Sequence, residues 1–144
     1  MFHSKLTPVD RIRASWAMAA QDPEHLADVF YSTLFELDET TRPLFEGNMK
    51  VQGKKLANTL SYIVDHVDNT DVLVPAAELL AIRHVQYGVI HEQYASVGAA
   101  LIATFKKVLG DSFSPEDEEA WAGAYGTLSG VMIAAAYPNR EGSE

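Results

Sequence analysis

The chain has 144 residues, 47% of them apolar, with 20 acidic against 11 basic side chains and no cysteine. A domain of this size and composition buries a real core, which excludes a disordered chain, and its net charge of −9 repels phosphate backbones and anionic lipid, which sets aside nucleic acid and membrane surfaces as partners. The lack of cysteine removes disulfides, thiolate metal sites and thiol nucleophiles.

Thr7-Pro8-Val9-Asp10 offers a capping hydroxyl, a proline at the first helical position and an early acid, and predicts a helix from Pro8 to Ala20 with Val9, Ile12, Trp16 and Ala19 or Ala20 inside. Asp22-Pro23-Glu24 repeats the signal for a helix from Pro23 to Leu37. That helix has two apolar stripes, Leu26, Phe30, Thr33 and Leu37 beside Ala27, Tyr31, Leu34 and Phe35, so it is predicted to be covered on two sides. A short helical turn is read in DETTRPLFE. The next helix, Lys50 to Val67, has Leu56, Leu60, Ile63 and Val67 as its inner row, and Gln52 stands one turn ahead on the same face. Gln52 is so near the helix start that solvation explains it as well as function does. After the segment around His84 comes a helix from Glu92 to Leu109 that stops at Gly110. The last helix starts at Ser114-Pro115-Glu116-Asp117 and runs to Tyr137; Asp117, Glu118 and Glu119 read as a solvated helix start where negative charge suits the dipole. No strand-like alternation of convincing length occurs, so residues 1–144 are expected to form one all-helical domain. With no apolar stretch of signal length at MFHSKLTPVDRIR and no uncharged run of about 18 residues anywhere, the chain is expected to be soluble and cytoplasmic, without membrane insertion.

His84 is the odd residue in this pattern. In LLAIRHVQYGVIHEQY it shares a helical face with Leu73, Ala76, Ala77, Leu80 and Tyr87 and so points inward. An inward imidazole without a partner costs roughly 1–3 kcal/mol, so it needs a hydrogen bond, a charge or a metal. Position alone leaves open an ordinary hydrogen-bonded core histidine and a ligand.

Phe30-Tyr31, Leu44-Phe45, Gln52 through Leu56, His84 and Tyr94 form a group, with 14 residues from Tyr31 to Phe45, 32 from Gln52 to His84 and 10 from His84 to Tyr94. In this order and spacing the chain resembles the bacterial single-domain globins and the haem domain of flavohaemoglobins, over essentially its whole length. The resemblance implies an all-α globin fold, six to eight helices around a pocket for b-type haem, held noncovalently since no cysteine is present. It makes His84 the ligand of the haem iron, its other ring nitrogen donating to a carbonyl one turn earlier, near Leu80. Phe45 matches a phenylalanine stacked on the porphyrin, with Leu56, Leu80, Val89 and Val97 as apolar walls. Arg83, Lys50, Lys54 and Lys55 are either propionate partners or solvated surface charges. Tyr31 and Gln52 match the pair that donates hydrogen bonds to the gas on the distal side, each worth on the order of 1.5–3 kcal/mol to a ligand that gains negative charge.

Two departures from the flavohaemoglobin pattern stand out. The sequence stops with the last helix, so no flavin or nicotinamide module is expected and turnover would need a separate reductase. Counting from Trp121, Pro138 falls where flavohaemoglobins place a glutamate that joins a tyrosine, matched by Tyr94, in polarising the histidine; less peroxidase character is expected without it. The short stretch EGNMKV after Phe45 is expected to alter how freely Gln52 swings. His3, His25, His66 and His91 make no zinc-binding pair, and HEQYA lacks the second histidine of a zinc helix. The implied functions are reversible oxygen binding for delivery or storage and, alternatively, nitric oxide dioxygenation with a separate reductase; carbon monoxide is a further expected ligand, and a sensor module is a third reading. Oligomeric state stays open.

Overall fold

The side chains at three helix starts take up the amides that the first turn leaves free. Thr7 Oγ1 accepts from Asp10 N–H (3.0 Å) while the Asp10 carboxylate accepts from Thr7 N–H (3.2 Å), and Ser114 and Asp117 repeat the reciprocal pair at 3.0 Å each way. Asp22 accepts from His25 N–H at 3.2 Å. These caps open α1 (Pro8–Ala19), α2 (Pro23–Leu37) and α6 (Pro115–Ala136). Asn48 caps α3 (Met49–Asp65) through Lys50 N–H at 2.8 Å, and α4 (Thr70–Gln86) and α5 (Gln93–Leu109) complete the α-helices of the described residues. DETTRPLFE supplies a 3₁₀ segment, Glu39–Leu44, and a second, Gly110–Ser112, follows α5. The computed structural model describes residues 6–45, 47–86 and 88–137, so His3, Tyr87 and Pro138 lie outside the described residues, and so does Glu46 in the stretch after Phe45.

Helix α2 lies against α3 on one side and α5 on the other, which is the double coverage its two stripes predict; α1 and α4 both pack on α6. The main core collects Ile12, Trp16, Leu26, Phe30, Leu34, Leu101, Phe105 and Trp121, with Leu34 and Phe105 at 0% exposure. Burying such side chains stabilises the fold by roughly 1.5–3 kcal/mol each. The indole N–H groups in this core find hydroxyls: Trp121 donates to Ser15 Oγ (2.7 Å) and Trp16 to Ser61 Oγ (3.2 Å).

Two expectations need correction. Leu37 is exposed rather than part of the inner stripe, because it ends α2 and the chain turns away at Asp38. Asp117 is buried rather than solvated: its carboxylate folds back to close the cap and accepts from the Arg11 guanidinium at 3.3 Å. Glu118 forms an ion pair with Lys106 at 3.0 Å. No helix among the described residues is long and apolar enough to cross a membrane.

Candidate functional site

A second, smaller apolar cluster is separate from the main core and consists of Ala77, Ala81, Tyr94 and Met132, with Leu80, Val89, Leu128 and Val131 packed around it. Its helix α4 makes its extensive contact with α6 and none as extensive with α2 or α3. The residues singled out from the sequence divide between the α4 side and the α2–α3 side.

On the α4 side, His84 is half-buried and its Nδ1 lies 2.8 Å from Leu80 O, one turn earlier. A carbonyl only accepts, so Nδ1 carries the proton and Nε2 is the nitrogen whose chemistry suits a metal. Burial lowers the His84 pKa, favouring the neutral ring that a ligand must be; the Leu80 bond opposes this more weakly. The turn that follows depends on Gly88, whose φ of +96° is unfavourable for any residue with a side chain. Val89 N–H donates to His84 O (3.0 Å), and Val89 O accepts from the Tyr137 hydroxyl (2.9 Å). Tyr94 lies beside His84, ring centroids 6.3 Å apart. Its buried hydroxyl has no hydrogen-bond partner among the described residues and does not reach His84, whose Nδ1 is already bonded to Leu80. Burial and the nearby Tyr137 push the Tyr94 phenol up to about 12.

On the other side, Tyr31 is 6% exposed and its hydroxyl donates to the backbone carbonyl of Gln52 at 3.2 Å. The two helices come this near because Gly53 passes against Ala27, where an added Cβ would stand 3.0 Å from the Ala27 Cβ. Burial raises the Tyr31 pKa to about 12, so the phenol keeps its proton and remains a donor at neutral pH. Phe45 stands 4.9 Å from Tyr31 and 5.9 Å from Phe35 between ring centroids. Gln52 is half-buried in the first turn of α3. Arg83, Lys54 and Lys55 are exposed, and Lys50 pairs with Glu24 at 3.7 Å.

The side chains on the two sides have the chemistry that suits an apolar group. Phe45, Leu56, Leu60, Ile63 and Val97 on one side and Leu80 and Val89 on the other are large hydrophobics left half-buried, whereas the main core buries Leu34 and Phe105 completely. A haem between them would cover these faces, with His84 as its iron ligand. Residues that the sequence reading passed over brace the backbone beside His84 and Tyr94: Gln93, which accepts from Ile90 N–H, Tyr125, whose hydroxyl donates to Tyr94 O at 2.5 Å, and Tyr137. Their only signal was position, since Gln93 adjoins Tyr94 at a helix start and Tyr137 ends the last helix.

A family model for the globins matches residues 28–132, and the chain belongs to that family, which implies a haem cofactor. It is 35% identical over 119 residues to a flavohemoprotein of Rhodopirellula baltica, covering 81% of this chain and 29% of that protein. With a flavohemoprotein of Bordetella parapertussis the identity is 33% over 125 residues, 85% of this chain and 31% of the other. The chain thus spans about three tenths of the length of these relatives. Among solved structures, a bacterial globin from Campylobacter jejuni superposes with a TM-score of 0.78 at 25% identity, covering 91% of this chain and 95% of that one. An engineered carbene transferase, its parent a candidate nitric oxide dioxygenase of Rhodothermus marinus, gives 0.80 at 26% identity over 93% and 95%.

Proposed function

We propose that residues 1–144 form one globin domain that binds oxygen reversibly at a b-type haem ligated by His84, for delivery or storage, in the cytoplasm. On this reading Phe45, Leu56, Leu80, Val89, Tyr94 and Val97 line the haem, Arg83 pairs with its propionates, and Tyr31 and Gln52 serve the gas on the distal side. The haem supplies reversible binding of diatomic gases, oxygen, carbon monoxide and nitric oxide among them. The chain's own residues supply the rest. The observation that carries the reading is the buried, protonated Tyr31 hydroxyl at the first turn of α3. To serve a ligand, that hydroxyl must leave the Gln52 carbonyl, which costs about 0.5–1.5 kcal/mol against the roughly 1.5–3 kcal/mol of a charge-assisted bond. The net effect on oxygen is about tenfold. Stopped-flow mixing should therefore show oxygen leaving Tyr31→Phe about tenfold faster than wild type, with carbon monoxide much less affected. An unchanged oxygen rate removes the role of Tyr31. The absorption spectrum of the ferrous protein before and after each gas tests cofactor and reversibility together.

Nitric oxide dioxygenation with a separate reductase is the second reading, favoured by the likeness to the Rhodothermus marinus protein and to flavohemoproteins. Sustained nitrate formation from nitric oxide under a reductase would select it over storage.

A further inference from the structure

Gln93 opens α5 and is only 5% exposed, yet both ends of its amide are used. Its Oε1 accepts from Ile90 N–H (2.9 Å), and its Nε2 donates to Thr40 O and Thr40 Oγ1 (3.2 Å each). The orientation of the amide follows from its partners, because a backbone N–H only donates and a backbone carbonyl only accepts. Ile90 lies in the turn after His84, and Thr40 lies in the 3₁₀ segment that leads to Leu44 and Phe45. The two stretches touch again at Gly88, where an added Cβ would stand 3.6 Å from Leu44 Cδ2. Each end is anchored in turn. Asp38 accepts from Thr40 N–H (3.0 Å) and from Ser96 Oγ (2.6 Å), while Val89 is bonded to His84 O and to Tyr137.

We propose that Gln93 is a positioning residue: it holds the His84 turn and the Phe45 segment at a fixed separation and thereby governs how tightly the protein retains haem. The proposal rests on the haem reading above. A buried amide that bridges two stretches 53 residues apart in sequence costs more to leave half-satisfied than a local cap, and the Gln93 amide bonds to the backbone of both stretches.

The test uses the ferric, haem-loaded protein and measures haem transfer to an excess of a haem-free acceptor globin. Gln93→Leu, which loses both halves of the bridge, should release haem about tenfold faster than wild type. Gln93→Glu keeps the acceptor for Ile90 N–H but loses the donor to Thr40, and it should also release faster; it carries the test if the leucine variant does not fold. Ser15→Ala, which removes the Trp121 bond in the main core, controls for general loosening and should release at the wild-type rate. In the ferrous protein, the resonance Raman band of the iron–histidine bond should broaden in both Gln93 variants and not in Ser15→Ala. Wild-type release rates in both Gln93 variants, or equal acceleration by Ser15→Ala, overturn the proposal. A wild-type protein that holds no haem sinks the haem reading and this proposal together, whereas a His84-dependent pigment with indifferent Gln93 variants sinks the bridge alone.

Discussion

The half of the molecule built on α2 and α5 and the half built on α4 are packed to different standards. Around α2 and α5, Leu34, Ala100, Thr104 and Phe105 are at 0% exposure, and polar atoms such as Thr104 Oγ1 and the Trp121 N–H are bonded within the chain. Around α4 only Ala77 and Ala81 of that helix are buried, Leu80 and His84 are half-buried, and the neighbouring Tyr94 hydroxyl has no partner among the described residues. Protein interiors are close-packed, and large side chains left half-covered on an inward face forfeit contacts. The difference teaches that the first half is held by its own side chains, while the second is the half that the proposed haem would complete.

Removing His84, the proposed iron ligand, should break the comparison most completely. His84→Ala is expected to lose the pigment on purification or hold it far more loosely, with no matching change in the α2–α5 half. The absorption spectrum reads the first effect, and near-ultraviolet circular dichroism from the tryptophans of the main core reads the second. Next in size come two leucines. Leu34→Ala should cost about 2–5 kcal/mol in urea unfolding whether or not haem is present, because it leaves a cavity in a complete core. Leu80→Ala should cost about 1–2 kcal/mol in the haem-free protein, where its side chain is only half-covered, and more in the loaded protein. Equal costs in the haem-free protein would mean that the two halves do not differ.

What the sequence made legible was local, in both halves. Proline, the capping side chains and the early acids marked three helix starts to the residue, and apolar spacing identified the inner faces, because those signals act within one or two turns of chain. His84 was visible as an inward imidazole, and its bond to Leu80 follows from helix geometry at a separation of four residues. The failures have a shared cause. Asp117 was read as solvated because its Arg11 partner is 106 residues away. Gln93 went unread because Thr40, which makes its burial tolerable, is 53 residues away, and neither residue type announces the pairing. The pairing of Tyr31 with Gln52 was suggested only through a family likeness, since nothing local shows that its hydroxyl rests on a carbonyl of the next α-helix.

A smaller effect sharpens the boundary between the halves. Tyr31 and Tyr94 are both buried phenols held up to about 12, but Tyr31 donates to Gln52 O and Tyr94 has no partner among the described residues. In the haem-free protein, Tyr31→Phe should cost about 1 kcal/mol, and Tyr94→Phe should be neutral or slightly stabilising because it deletes a polar atom left unsatisfied. The same pair predicts a response to alkali. An unfolded tyrosine loses its proton near its ordinary value of 10.0, while the folded phenols keep theirs to about 12, so between those values the native state holds more protons and stability falls as pH rises. Each phenylalanine variant should remove part of that alkaline loss without altering stability below pH 9 by more than its own cost. Urea midpoints measured from pH 8 to 11 would check it, and a wild-type slope retained in full by both variants would show that neither phenol is held protonated by the fold.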